Sequence, residues 1–326
     1  MSSVDIAAER PRVLVLGRAP PRAVQAIAQF ADVLSVATPA EARQAGAGCR
    51  GLAVWGGAVD RTLIEALGRL EIIAGFGVGY DNIDVGAAAA RGVVVTHTPD
   101  VLTEQVADVT LGLLLMTVLR LPQAERHVRA GLWPRGAFPL SPTSLRGRRV
   151  GILGLGRIGK AVARRLEAFD LPVAYYGRAP QADVAYPYFE SPLALAGAVD
   201  TLIAILPGGA QTHHLIDRAV LRALGPDGVF VNVGRGSSVD EAALIEALAA
   251  REIAAAGLDV FEREPQVPQP LLAFDNVVVL PHVGSATVLT RNAMMDLVAR
   301  NLKAWFETGA AVTPTPETAH LATRKG

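Results

Sequence analysis

The sequence predicts an α/β protein of two domains, each a doubly wound parallel sheet covered by helices. Three observations carry that expectation. The 326 residues exceed the roughly 100–200 of one domain. Short runs rich in Val and Ile recur at 13–16, 53–55, 72–74, 93–96, 150–153, 173–176, 201–206, 229–233, 255–258 and 277–280. Strands that are apolar along their whole length are covered on both faces. Between the runs lie Ala-rich amphipathic stretches, the alternation that generates βαβ units.

The runs up to residue 96 precede a long apolar helix at about 103–120. The segment 129–148 then carries Gly131, Pro134, Gly136, Pro139, Pro142 and Gly147, which break any regular element and mark a connecting loop. Six further runs follow, and a last helix at about 287–306 is placed to pack beside the first long one and return the chain to the first lobe. No solenoid repeat, low-complexity tract or heptad array is visible.

Composition narrows the function. Hydrophobic residues make up 51% and charged residues 19%, which excludes general disorder. Lys plus Arg and Asp plus Glu number 31 each, so no electrostatic footprint for nucleic acid or an anionic membrane exists. The apolar run 109–119, shut in by Asp108 and Arg120, falls short of the about 20 residues that span a bilayer. Residues 1–12 are polar and mixed in charge, without a signal-peptide pattern. The one cysteine, Cys49, cannot form an internal disulfide and fits a reducing compartment. A soluble cytoplasmic protein with neither nucleic-acid nor membrane partners is expected.

The strand Val150-Gly151-Ile152-Leu153 runs directly into Gly154-Leu155-Gly156-Arg157-Ile158-Gly159 and an amphipathic helix. In that context each glycine has a mechanical task. Gly154 permits a tight turn, Gly156 lets backbone approach a pyrophosphate, and Gly159 lets helix and strand pack closely. The helix N-terminus then receives the phosphates. In NAD sites an acid about 20 residues on accepts the ribose 2′-OH. Here the next strand ends Tyr175-Tyr176-Gly177-Arg178, and a guanidinium suits a 2′-phosphate. NADP(H) is preferred, with NAD(H) possible.

Ligands of open α/β sheets bind outside the carboxyl ends of the strands. Just beyond three late strands stand Arg235, Glu264 after Asp259, and His282. Singly, each has an ordinary alternative as a loop arginine, a Glu-Pro turn or a structural histidine. Together, beside a dinucleotide loop, they fit reduction of a 2-oxo acid. Arg235 can clamp the carboxylate bidentately and polarise the ketone. His282 is the natural proton donor. Glu264 can fix the histidine tautomer and favour imidazolium.

With these residues in view, the chain resembles the D-isomer-specific 2-hydroxyacid dehydrogenase family over almost its full length. The likeness also runs through Gly77-Val78-Gly79-Tyr80-Asp81-Asn82-Ile83-Asp84, Thr98-Pro99-Asp100-Val101-Leu102-Thr103, Asn232-Val233-Gly234-Arg235-Gly236, Gly257-Leu258-Asp259-Val260-Phe261 and Pro281-His282-Val283-Gly284-Ser285-Ala286-Thr287. The resemblance implies Arg235, Glu264 and His282 as the catalytic set, with Asp259 near the nicotinamide carboxamide. It implies a Rossmann dinucleotide-binding domain at 101–286 and a discontinuous flavodoxin-like substrate domain at 1–100 and 287–326, with a cleft between them and a homodimer built through the cofactor domains. The cofactor-binding set drawn from loop and resemblance is Gly154, Gly156, Arg157, Ile158, Gly159, Arg178, Pro207, Thr212, Val233, Asp259, Thr103 and Ser285.

Backbone N–H groups at Val78 and Gly79 can cradle a substrate carboxylate, or simply close a tight turn; the resemblance favours the first. Trp55 can wall a small pocket or belong to the lobe core. Arg178 with Leu206-Pro207-Gly208-Gly209 and the 283–287 segment is most similar to NADPH-dependent glyoxylate/hydroxypyruvate reductases. An aryl-pyruvate (hydroxyphenylpyruvate-type) reductase is the alternative, and a non-catalytic dinucleotide-sensing protein would have no need of a proton donor. Trp133 and Phe138 are candidates to reach a partner subunit. His213 and His214 are adjacent, so on a strand or helix their side chains diverge, and they read as surface residues with no metal role. His97, His127 and His320 receive no role.

Overall fold

The computed structural model describes residues 10–324; most of the N-terminal stretch read above for a leader lies outside them. The chain divides into two compact units, one of residues up to Leu102 together with those from Thr287 onward, the other Thr103–Ala286.

In the first unit, β1 (Arg12–Leu16), β2 (Asp32–Val36), β3 (Gly51–Val54), β4 (Ile72–Gly75) and β5 (Val94–Thr96) form a sheet of order β2-β1-β3-β4-β5. Every pairing is parallel. Helices α1 (Pro21–Ala28), α2 (Pro39–Ala45), α3 (Arg61–Ala66) and α4 (Val85–Ala90) make the crossovers. Their starts are written locally: Thr38, Asp60 and Asp84 accept the first-turn N–H groups of Glu41, Leu63 and Ala87, which satisfies donors a helix start leaves open.

The second unit opens with α5 (Thr103–Leu119) and α6 (Leu121–Arg129), bent by 67° where Arg120 takes left-handed φ of 55°. Seven side chains of α5 are buried, so its apolar run is core. No single helix among the described residues is long and apolar enough to cross a membrane. The segment after α6 holds one short 3-10 turn, Trp133–Arg135.

Seven strands follow, β6 (Val150–Leu153), β7 (Val173–Tyr176), β8 (Tyr188–Phe189), β9 (Thr201–Ala204), β10 (Val229–Asn232), β11 (Ala255–Leu258) and β12 (Val277–Val279). Their order is β12-β11-β10-β9-β6-β7-β8, again with every pairing parallel. The order reverses between β6 and β9, the switch point at which such sheets bind ligands. Helices α7 (Arg157–Glu167), α8 (Pro192–Ala198), α9 (Arg218–Leu224), α10 (Glu241–Ala249) and α11 (Gln269–Ala273) complete the unit. One apolar cluster forms around Phe230, Leu202 and Leu244, another around Leu113, Val162, Ile152 and Val231. Alternate residues of β10 thus enter different clusters, as a strand covered on both faces requires.

The last helix, α12 (Val288–Thr308), starts at the Thr287 cap and ends at Gly309 in left-handed φ. Its Val298, Leu302 and Trp305 pack with Val13 and Val15 of β1, so α12 returns the chain to the first sheet.

Two strands, β2 and β8, fall outside the apolar runs of the sequence. Both are sheet edges with no fully buried residue, so neither shows the continuous apolar signal that identifies central strands.

Candidate active site

All seven strands of the second sheet point the same way, so their carboxyl ends share one edge. At that edge stand Gly154 after β6, Arg178 after β7, Pro207 after β9, Val233 and Arg235 after β10, Asp259 after β11 and His282 after β12. Parallel register alone gathers residues more than a hundred positions apart.

The Gly154–Gly159 loop has the features a dinucleotide needs. Gly154 has φ of 100°. A Cβ on Gly159 would stand 2.3 Å from the Gly154 carbonyl oxygen, so only glycine lets α7 approach the loop this closely. Gly156 caps α7 without a side-chain hydrogen bond, leaving the helix entrance to an anion. Arg157 is exposed and Ile158 half-buried. At the tip of β7 no acid appears, and Arg178 is exposed. The first acid beyond, Asp183, pairs with Lys160 at 2.6 Å. Thr212 donates to the Pro207 carbonyl at 2.7 Å and shapes that turn. Val233 is buried, and Thr103 and Ser285 are half-buried.

His282 and Glu264 meet: Nδ1 lies 2.7 Å from Glu264 Oε2. Glu264 Oε1 also accepts the Phe261 N–H at 3.1 Å. Burial pushes the Glu264 carboxyl upward, but the His282 hydrogen bond and charge, the Phe261 N–H and the Arg235 charge together hold it below its ordinary value. An ionised carboxylate only accepts, so His282 Nδ1 carries a hydrogen and Nε2 is left for exchange. Arg235 turns its Nη1 to the Gly234 carbonyl at 3.0 Å, while Asn232 Nδ2 and Ser238 Oγ hold its carbonyl at 3.1 and 2.7 Å. A Cβ on Gly236 would fall 1.9 Å from the Phe261 carbonyl carbon. Glycine there lets the Arg235 turn press directly on the backbone that leads to Glu264.

Asp259 is 1% exposed and builds the His282 loop. Its carbonyl accepts the His282 N–H at 2.8 Å. Its carboxylate takes the Val283 and Gly284 N–H groups at 2.7 and 2.8 Å. Burial raises its carboxyl above the ordinary value against those donors. This bracing was not legible in sequence; the resemblance suggested a cofactor contact instead.

In the first unit, Val78 and Gly79 lie in the loop after β4, half-buried. His97, which the sequence left without a role, braces this loop, with Nδ1 3.0 Å from the Val78 carbonyl oxygen. Trp55 follows β3, half-buried, and stacks on Phe76 with centroids 5.4 Å apart.

One expectation fails. The rings of His213 and His214 do not diverge: they stack with centroids 3.9 Å apart and an interplanar angle of 24°. Divergence holds on a regular strand or helix, whereas these residues occupy a turn between β9 and α9 and His214 has φ of 49°.

The family model for the D-isomer specific 2-hydroxyacid dehydrogenase NAD binding domain matches residues 111–284, more than half of the chain. The chain belongs to this family. Among its relatives, glyoxylate/hydroxypyruvate reductase A of Arabidopsis thaliana is 51% identical over 78% of this chain and 81% of its own length. Hydroxyphenylpyruvate reductase of Plectranthus scutellarioides is 49% identical over 78% and 81% respectively. The crystal structure of the NADPH-dependent glyoxylate/hydroxypyruvate reductase of Sinorhizobium meliloti in complex with NADP and malonate is 54% identical. It superposes with a TM-score of 0.93 over 98% of this chain and 100% of that one. In this 2-hydroxyacid dehydrogenase, Arg235, Glu264 and His282 thus stand at one sheet edge, with Glu264 joined to His282.

Proposed function

We propose that the protein is an NADPH-dependent reductase that converts a small 2-oxo acid of the glyoxylate/hydroxypyruvate class to the D-2-hydroxy acid. The observation that carries the reading is the 2.7 Å contact between His282 Nδ1 and Glu264 beside Arg235, at the strand ends that follow a dinucleotide loop. Arg235, Glu264 and His282 are the proposed catalytic residues. Arg235 binds the substrate carboxylate through two parallel N–H donors and draws charge from the carbonyl oxygen. Glu264 holds Nδ1–H and stabilises the imidazolium, so that Nε2 delivers a proton to the forming alkoxide. The bound reduced nicotinamide supplies the hydride.

Gly154, Gly156, Arg157, Ile158 and Gly159 are proposed to hold the pyrophosphate, and Arg178 the 2′-phosphate. Thr103, Pro207, Thr212, Val233, Asp259 and Ser285 line the remainder of the cofactor. NADP in the S. meliloti structure and the lack of an acid at the β7 tip support this choice over NAD(H). Val78, Gly79 and Trp55 are the proposed substrate contacts. The assignment gives residues 101–286 the cofactor and 1–100 with 287–326 the substrate. A homodimer and cytoplasmic residence belong to the same reading. Exposed Val128 and Trp133, 55% and 67% exposed, offer an apolar surface for the dimer, and Trp133 and Phe138 lie on the segment proposed to reach the partner.

The experiment is loss of reduced-nicotinamide absorbance, with NADPH and NADH each crossed against glyoxylate, hydroxypyruvate, pyruvate and phenylpyruvate. Fastest turnover with NADPH and either glyoxylate or hydroxypyruvate supports the proposal. Preference for phenylpyruvate selects the aryl-pyruvate reading, which the P. scutellarioides relative favours. No turnover with any pair overturns both.

A further inference from the structure

We propose that His213, His214 and Glu262 form a binding site for a divalent transition ion of borderline softness, with Zn²⁺ as its representative. One nitrogen of each imidazole and one Glu262 oxygen all lie within 4.8 Å of one another. His214 Nε2 is 3.0 Å from Glu262 Oε1, near the separation of about 3.3 Å between two donors that each sit about 2.0 Å from a tetrahedral ion. The ion takes the place of the proton this pair shares and the proton leaves to solvent. His213 supplies the third donor. It is exposed, and from its stack on His214 it needs a side-chain rotation to aim a nitrogen at the ion.

Two features bring these donors together. The left-handed backbone at His214 sends adjacent imidazoles to the same side, which a strand or helix would not do. Glu262 is anchored from behind, its N–H donating to Glu241 Oε1 at 2.9 Å. Two imidazoles and one carboxylate select Zn²⁺, Cu²⁺ or Ni²⁺, whereas Mg²⁺ and Ca²⁺ seek all-oxygen sites. Neither histidine belongs to the proposed catalytic set. Occupancy ties the turn before α9 to the loop that carries Glu264, two residues beyond Glu262.

The test is calorimetric titration of tag-free protein with Zn²⁺ alone. One ion per chain is expected to bind. His213→Ala and Glu262→Gln should each weaken binding at least about tenfold, as even the loss of a residue behind the ligands does. His282→Ala should leave it unchanged, since His282 with Glu264 is the competing imidazole–carboxylate pair. Because His213 is exposed, its variant should keep the wild-type melting temperature, so lost binding is not misfolding. No saturable uptake, equal uptake by wild type and His213→Ala, or loss confined to His282→Ala overturns the proposal. The readout does not depend on reductase activity, so failure here leaves the proposed function standing, and the reverse also holds.

Discussion

A single methyl group at position 236 tests how the Arg235 turn and the Glu264 loop are fitted together. In Gly236→Ala the new Cβ would lie 1.9 Å from the Phe261 carbonyl carbon, 2.1 Å from its oxygen and 2.3 Å from the Glu262 nitrogen. All three are backbone atoms, which no rotamer change can remove. To regain the 3.4 Å of ordinary contact, the 261–262 backbone must retreat by about 1.5 Å, an overpacking strain of about 1–3 kcal/mol. Glu264 rides on that backbone and is tied to it through the Phe261 N–H. Its bond to His282 therefore stretches beyond hydrogen-bonding reach. A misplacement of about 1 Å can cost roughly 10²-fold in rate. Steady-state reduction of glyoxylate or hydroxypyruvate with NADPH should show kcat lowered by about that factor. NADPH binding, followed by fluorescence, should be nearly unchanged, because α7 and its loop take no part in the clash. A kcat within a factor of about two of wild type, with an unchanged melting temperature, would refute the reasoning.

Four other outcomes are expected. Arg178→Ala should weaken NADPH and spare NADH; equal losses in titrations with both would remove Arg178 from the 2′-phosphate. Arg235→Lys should raise KM for 2-oxo acids and lower kcat, because the planar fork is lost, and an unaffected kcat/KM would exclude the clamp. Asp259→Ala leaves the Val283 and Gly284 N–H groups unpaired at about 1–3 kcal/mol each where buried. The melting temperature and turnover should fall together, and an unchanged melt would show that Asp259 does not brace the His282 loop. Glu264 has a folded-state value below its unfolded one, so its stabilisation is present above the ordinary carboxylate value and fades as pH falls through the lowered one. Urea melts of wild type and Glu264→Gln should therefore converge on acidification; a gap constant from about pH 6 to pH 3 contradicts that linkage.

Much of the fold was legible because central parallel strands are apolar from end to end, as β3, β6 and β11 show. The edge strands β2 and β8 were not, since a strand wetted on one side loses that signature. Gly154 and Gly159 announced their tasks through spacing, because close approach of helix and strand admits only one residue type. Arg235 and His282 could be picked out by their places after strands. What holds them could not: Asp259 braces the His282 loop through backbone donors, Gly236 is needed only because Phe261 passes beside it, and His97 reaches Val78 across the unit. Such contacts join residues distant in sequence and leave no local pattern. The paired histidines 213 and 214 misled for a related reason, since a left-handed residue cancels the divergence that regular backbone imposes.

The proposed chemistry turns on an imidazole, oriented by a carboxylate, that passes a proton to the reacting oxygen. His282→Ala tests it most directly, with turnover and NADPH affinity measured on the same preparation. The expected result is a kcat reduced by about 10²–10⁴-fold with cofactor affinity preserved. Wild-type kcat in that variant, or parallel loss of turnover and NADPH binding, would contradict it.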